Sequence, residues 1–546
     1  MRSSALETLR LLSHTPLIDR LEAAALSGWS MSAVYSAVES LESEGLAASF
    51  PHASDLIPPT RRHHITAEGL RVLAHEEGTS VDSLLRSRPV SAQRLRLLLE
   101  RLDAVAVVYR LASALSDLAF PLKLRLYSAA PMDAAVALPD GRVIAIVRRG
   151  PAADRTGFAK RLWRLRGVPK PAAFLLLVSD EVRLRQARRL LRDAPFIAYL
   201  ALERDAAAAG PETPVWRAST GTALLDLHAA LDRTGPPGPW PSEQPPARAS
   251  LPGGDIEGDA GTDRLLPVLL KPVEKRALGL TVDWPWLSPA HLGGILGLKR
   301  SRLSEVVGRL SRFGLAQDTP VEGRRRLAAT DRALAALARA DRASVGAARQ
   351  RWSPAPIDPD EPLAWRNVSG ARSRQLLRNI QHTEAVHSFI AALARQSRAT
   401  GWETVQIDPP RRASRYFRHR GKLHSVQPDA FGVLRRGDAM RPLFLEWERR
   451  AVRPVTMAAR LAPYVRYFAS ARPFEDHGAQ PTVLVVFDDD LAALHFLRIA
   501  DREMTRTGVH VPLMVSHRLQ LEREGPLGRA WFAPGAHEPE VAFRSR

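Results

Sequence analysis

Leu287–Leu296, Gly297, Lys299–Phe313, Gly314-Leu315 and Gly323-Arg324-Arg325-Arg326-Leu327-Ala328 follow one another near the middle of the chain. Their apolar spacing predicts two helices parted by a glycine turn, with Gly314 ending the second and a wing-like hairpin after it. Thr330–Ala340 then has the spacing of a closing helix. This order is that of a winged helix-turn-helix, in which the recognition helix enters the major groove and the wing touches phosphate. Lys299, Arg300, Arg302, Arg309 and Arg312 lie on or beside that helix, and Arg324, Arg325 and Arg326 lie on the wing. Arginine reaches both guanine edges and phosphate oxygens, so these side chains are the expected DNA contacts.

The start of the chain repeats the order. Ala5–Leu12 and Pro16–Leu26 have helical spacing, and Ser27-Gly28-Trp29 reads as a turn. Ser30 suits the N-cap of a third helix carrying Met31, Val34, Tyr35, Val38 and Leu41. Strands are expected at 46–50 and 61–66, where Arg61 and Arg62 join the DNA-contact set and His63 and His64 read as polar wing contacts. The third helix here carries Glu39, Glu42 and Glu44, leaving Ser32, Tyr35, Ser36 and Ser40 to read bases, so packing or dimerisation competes with DNA binding for this copy.

Beyond the winged helices the halves stay in step. Leu102–Leu115 and Thr383–Arg395 read as helices, followed by strand pairs at 131–138 with 143–147 and at 428–434 with 443–447. Helices near 158–165 and 457–468 precede the apolar strands Ala173–Val178 and Thr482–Phe487, with further strands at 196–200 and 509–515. The expected fold class is α/β plus α+β multidomain, in two tandem units that each join a winged helix to a mixed-sheet domain. The boundaries are 1–80 and 90–232, a Pro/Gly-rich linker at 233–263, then 264–348 and 365–546.

Composition narrows the partner. The chain of 546 residues carries 78 Lys and Arg against 58 Asp and Glu, a formal charge of +20, which favours a polyanion such as double-stranded DNA. With no cysteine there are no disulfides, thiolate metal sites or thiol nucleophiles. No apolar run approaches the ~18 residues of a membrane span, and the start lacks the apolar stretch of a secretion signal, so no membrane partner and a cytoplasmic location are expected. Neither a Gly-rich phosphate loop ending in Lys-Ser or Lys-Thr nor a nucleophile elbow occurs, which argues against an ATP motor and a serine hydrolase.

Carboxylates are the remaining hard-cation ligands. Asp429 opens a strand, and Glu446 and Glu448 lie two apart on the next, hence on one face. The pattern Pro428-Asp429, a gap, then Glu446-Trp447-Glu448 resembles the active-site motif of the PD-(D/E)xK, restriction-endonuclease-like fold, with Glu448 where that motif has Lys. Arg460 and Lys422 are the candidate substitute cations. In the first half Asp133 aligns with Asp429, while Ala145 and Val147 fall opposite Glu446 and Glu448, so that copy is expected to be catalytically dead.

Together with Ile380-Gln381-His382-Thr383-Glu384-Ala385-Val386, Gln427-Pro428-Asp429-Ala430, Phe444-Leu445-Glu446-Trp447-Glu448-Arg449 and 459–467, these motifs make the second half, about 284–532, resemble the replication-relaxation family of plasmids and other mobile elements. The resemblance implies DNA processing in a mobile-element setting, with protein partners of that machinery or a homo-oligomer. Three mechanisms stay open. One is a Mg²⁺-dependent nickase or endonuclease, with Asp429 and Glu446 as metal ligands, Glu448 ligating or orienting water, and Arg460 facing the phosphate. The second is a catalytically inactive DNA-binding initiator or transcriptional regulator, its acids balanced by Arg449, Arg450 and Arg453. The third is a tyrosine relaxase using Tyr464 or Tyr467.

Overall fold

Capping side chains fix the first helices of the chain. Asp19 and Glu22 form a reciprocal capping box at the helix Arg20–Ser27, and Gly28 ends it with φ 71°. Ser30 Oγ accepts the amide of Ala33 to start Met31–Ser43, whose Val34, Val38 and Leu41 face inward. In the computed structural model, which describes residues 3–128, 131–151, 155–241, 249–252, 265–448 and 454–543, the chain is a mixed α/β protein that forms two compact units. The first comprises Met1–Lys275 with Ala335–Ala348, and the second Arg276–Leu334 with Arg349–Arg546. Among the described residues no helix is long and apolar enough to cross a membrane.

In the first unit the opening helices are followed by the antiparallel strands Ala47–His52 and Thr60–Ile65 and the helix Ala67–Glu76. A seven-stranded sheet then runs in sequence order from Lys123–Leu126 to Leu224–Leu225. Its central strands Val143–Arg149, Ala173–Val178 and Ala198–Leu202 are parallel, and its flanks are antiparallel. Described parts of 233–263 are docked on this unit. Tyr127 donates to Pro241 O at 2.7 Å, while Ser250 O accepts the Ala92 amide and the Ser250 amide donates to Gln93 Oε1.

The second unit contains the helices Pro289–Leu296 and Arg300–Arg312 and the antiparallel strands Ala316–Val321 and Arg324–Ala329. After the long helix Ile380–Ala399 comes a five-stranded sheet, ordered Glu403–Asp408, Ala430–Arg436, Ala439–Glu448, Thr482–Phe487 and Leu513–His517. The first three strands pair antiparallel and the last two add in parallel. The edge strands Lys123–Leu126 and Glu403–Asp408 have no counterpart in the strands expected from sequence, because neither is an apolar run.

Two arginines expected to face DNA are core residues instead. Thr60–Ile65 turns Arg61 outward and Arg62 inward, and Arg324–Ala329 treats Arg325 and Arg326 in the same way. Arg62 is fully buried against Glu22 and Asp19, and Arg326 is 2% exposed and bonded to Glu384 at 2.8 Å. His63 and His64 are also buried rather than wing contacts, with His63 Nδ1 at 3.2 Å from Glu42 and His64 Nδ1 against Ile65 O.

Removing Arg62 leaves the buried Glu22 and Asp19 with Arg110 alone, at 3.5 and 3.0 Å, as counter-ion. Arg62→Ala should therefore destabilise the first unit by about 3–5 kcal/mol in urea unfolding, whereas Arg61→Ala should not. Burial lowers the His63 imidazole to about 4. The folded state then binds its proton later than the unfolded chain, so stability is complete above about pH 6.5 and falls toward pH 4. Replacing His63 by Gln should flatten that fall, read from unfolding midpoints across the range.

Candidate functional site

Asp429 stands at the entrance to Ala430–Arg436, and its amide donates to Leu445 O at 2.8 Å. This bond registers it beside the end of Ala439–Glu448, where Glu446 and Glu448 alternate with the buried Trp447. The parallel neighbour Thr482–Phe487 ends at the same level, pairing Glu446 with Val485 and Glu448 with Phe487. The ends of such strands leave a crevice in which ligands commonly bind. Pro454–Phe468 supplies the facing side chains.

A cavity of about 950 Å³ results, lined among others by His382, Gln427, Asp429, Glu446, Glu448 and Arg460. Asp429 Oδ2 accepts the amide of Trp447 at 2.8 Å, and Oδ1 lies 3.0 Å from His382 Nε2. Tyr464 donates its hydroxyl to Glu446 Oε1, and Arg460 forms an ion pair with Glu448. Burial first, and then the nearby Asp429 charge, push the Glu446 carboxyl up to about 8 despite the Tyr464 hydrogen bond and Arg460.

The sequence-predicted acids and Arg460 all line this one cavity. Lys422, the other substitute cation, is exposed on a separate hairpin, Arg415–His419 with Lys422–Val426. Arg449, Arg450 and Arg453 lie outside the described residues. Of the two tyrosines, Tyr464 lines the cavity while Tyr467 donates to Asp476 at 2.9 Å. Among the described residues no group of three or more His, Asp and Glu side chains converges as a metal-binding set. His382 is the contributor that sequence reasoning missed. Its place in the 380–386 motif is its only signal, since the contact joins residues 47 apart.

In the second unit Lys299, Arg300, Arg302 and Arg312 are exposed on or beside Arg300–Arg312, with Arg302 held to Glu305 at 2.6 Å. Arg309 is half-buried over Phe313, and Arg324 and Arg325 are exposed while bridged to Glu384 and Asp318. In the first unit Arg61 is exposed and donates to Ser49 Oγ at 3.0 Å.

Asp133 repeats the backbone geometry of Asp429. Its amide donates to Ile146 O at 2.8 Å, and its Oδ2 accepts the amide of Arg148 at 2.6 Å. That register places Val147 and Arg149, not Ala145 and Val147, at the positions of Glu446 and Glu448. Alignment along the chain is displaced by two residues here, a shift that keeps the side-chain face and is invisible to alternation. Around Asp133 stand Arg101 at 2.6 Å, Arg161 at 2.7 Å and Arg342 at 3.6 Å, and they hold its carboxyl well below the usual range against the cost of burial.

Residues 304–483 match the replication-relaxation family. The replication-relaxation segment contains Asp429, Glu446, Glu448, Arg460 and Tyr464, so the cavity's chemistry falls inside the match. It agrees with the resemblance carried by the 380–386, 427–430 and 444–449 motifs, and it supports a role in DNA replication or mobile-element processing. No curated protein and no solved structure matches the chain.

The raised Glu446 carboxyl gives a stability signature. Its folded form keeps the proton more tightly than the unfolded chain, so the contribution is complete below about pH 4.3 and is lost as pH rises through about 8. Glu446→Gln should raise the urea midpoint of the second unit at pH 9 and leave it nearly unchanged at pH 4.

Proposed function

We propose that the chain is a DNA-processing protein of the replication-relaxation type, which binds duplex DNA through winged helices and nicks it at the Asp429–Glu446 cavity with Mg²⁺. The observation that carries this reading is the convergence of Asp429, Glu446, Glu448 and Arg460 on one cavity inside the family-matched segment. Recurrence of the backbone order supports reading the two units as tandem copies. Leu17 and Trp286 share a positive φ, near 69° and 70°, and donate to His63 O and Leu327 O in turn. The Asp133 copy, closed by arginines, is the non-catalytic one.

Asp429 and Glu446 fit a divalent cation because they are two hard oxygen donors lining one cavity, where a cation would offset the burial and then the Asp429 charge that disfavour the Glu446 anion. When bound, Mg²⁺ supplies water activation and charge neutralisation at phosphate. The protein's own groups do the rest. His382 and the Trp447 amide fix the Asp429 carboxylate, and the Tyr464 hydroxyl orients Glu446. Arg460 faces the phosphate and passes from Glu448 to a phosphate oxygen, a geometry that its planar fork suits. Exposed Arg300, Arg302 and Arg312 grip the duplex.

A second reading, a DNA-binding initiator or regulator without cleavage, is favoured by the Glu448–Arg460 pair and by the absence, among the described residues, of a three-ligand set. One assay separates them. Supercoiled plasmid with Mg²⁺ should be nicked by the wild type, and Asp429→Ala/Glu446→Ala should abolish nicking. Equal nicking by that variant removes the site, and salt-dependent binding without any wild-type nicking establishes the second reading. His382→Ala should weaken Mg²⁺ affinity by about 10–100-fold, the usual cost of losing a group that orients a ligand.

A further inference from the structure

The hairpin Arg415–His419 and Lys422–Val426 pairs only with itself and stands outside the five-stranded sheet. Isolated two-stranded hairpins are marginal in water and need an anchor. Here one face supplies it: Arg415, Phe417 and Val426 are buried, with Arg415 over the Phe431 ring at 4.6 Å and Phe417 against Tyr467 at 5.2 Å. The other face is largely open to solvent. Tyr416 is 45% and Leu423 68% exposed there, beside the exposed Arg418, while Arg420 at the tip and Lys422, cross-strand from His419, are exposed as well. From 409 to 428 the sequence contains no Asp or Glu.

The tip adds a second observation. Arg420 and Gly421 join the strands with φ of 49° and 77°, the left-handed pair of a tight hairpin turn. Asparagine or glycine fits the first of these positions with less strain, so an arginine there is held against conformational preference. The same turn recurs at Glu322-Gly323, with φ of 49° and 74°, and here it leaves the Arg420 side chain exposed at the tip. The hairpin also leads to the carboxylates: Ser425, cross-strand from Tyr416 on the outer face, lines the cavity with Gln427 and Asp429.

We propose that this hairpin is a DNA-gripping arm, with Arg418, Arg420 and Lys422 on backbone phosphates and Tyr416 and Leu423 along the sugar edge of the strand entering the cavity. Duplex DNA is the occupant because the exposed side chains are cationic, no acid lies between 409 and 428, and the apolar Leu423 stands cross-strand from Arg418 on the outer face beside Tyr416. The inference rests on the DNA-processing function proposed above.

The test uses the full-length chain and a fluorescein-labelled mixed-sequence duplex in anisotropy titrations over several salt concentrations. Arg418→Ala/Arg420→Ala/Lys422→Ala should bind at least about 10-fold more weakly, and its log–log salt slope should drop by about 0.9 for each phosphate that is no longer neutralised. Arg418→Lys/Arg420→Lys should keep most of the affinity. Arg300→Ala/Arg302→Ala/Arg312→Ala is measured beside them. If the hairpin variant binds like wild type, with the same slope, while the helix variant weakens, the arm is overturned and the DNA reading stands. If the wild type itself binds no duplex, the DNA reading fails. Benzoylphenylalanine placed at Leu423 avoids any folding effect of the triple change. It should photo-crosslink to the duplex, and absence of a crosslink overturns the arm.

Discussion

A carboxylate held where an antiparallel strand enters a sheet sets the chemistry of both units. Asp133 and Asp429 each donate a backbone amide across to the next strand and accept an amide two residues further along it. The acid is thereby pinned and desolvated, and burying it is costly unless nearby charge compensates. The two units answer that demand differently. Around Asp133 arginines crowd in, and Arg101 is pushed down to about 9 by burial and by its like-charged neighbours. Around Asp429 stand His382 at 3.0 Å and the buried Glu446, whose carboxyl is pushed up by burial first and then by the Asp429 charge.

The way the first unit closes its site explains why a segment from far along the chain belongs to it. Ala335–Ala348 is that segment, and Arg342, with φ 54°, donates to Met132 O at 2.9 Å and to Tyr127 O. Asp341 meets Arg148 at 2.9 Å and passes so near Gly150 that a Cβ there would lie 1.7 Å from its Oδ1. Any side chain at 150 would expel that carboxylate. Segment 335–348 is thus tied by charge to the strand ends beside Asp133.

A surplus of arginine is therefore no map of a DNA surface. Arg62, Arg326 and Arg415 are among the largest fully buried side chains, each held by carboxylates, carbonyls or aromatic faces. Guanidinium tolerates this because its delocalised charge is weakly hydrated and its fork satisfies several acceptors at once. Exposed arginines nonetheless remain on Arg300–Arg312 and on the 415–426 hairpin, as they do at Arg61, Arg324 and Arg325.

Periodicity and end signals made the helices legible: Ser30, Gly28, Gly297 and Gly314 stop or start elements near where their residue types imply. The apolar runs at 173–178 and 482–487 were equally plain, since strands flanked in parallel are apolar on both faces. Polar strands at 403–408 and 415–426 were not, because their stability comes from pairing and anchoring rather than from composition. At the site, linear order alone told which residue types stand near strand ends: Asp429, Glu446, Glu448, and Arg460 on the following helix. What each one meets came from the packed chain. His382 reaches Asp429 from a distant helix, Tyr464 holds Glu446, and the register moves Val147 and Arg149 into the places that linear alignment assigns to Ala145 and Val147. Alternation fixes a side chain's face, but partner and register are set by packing between segments far apart in the chain.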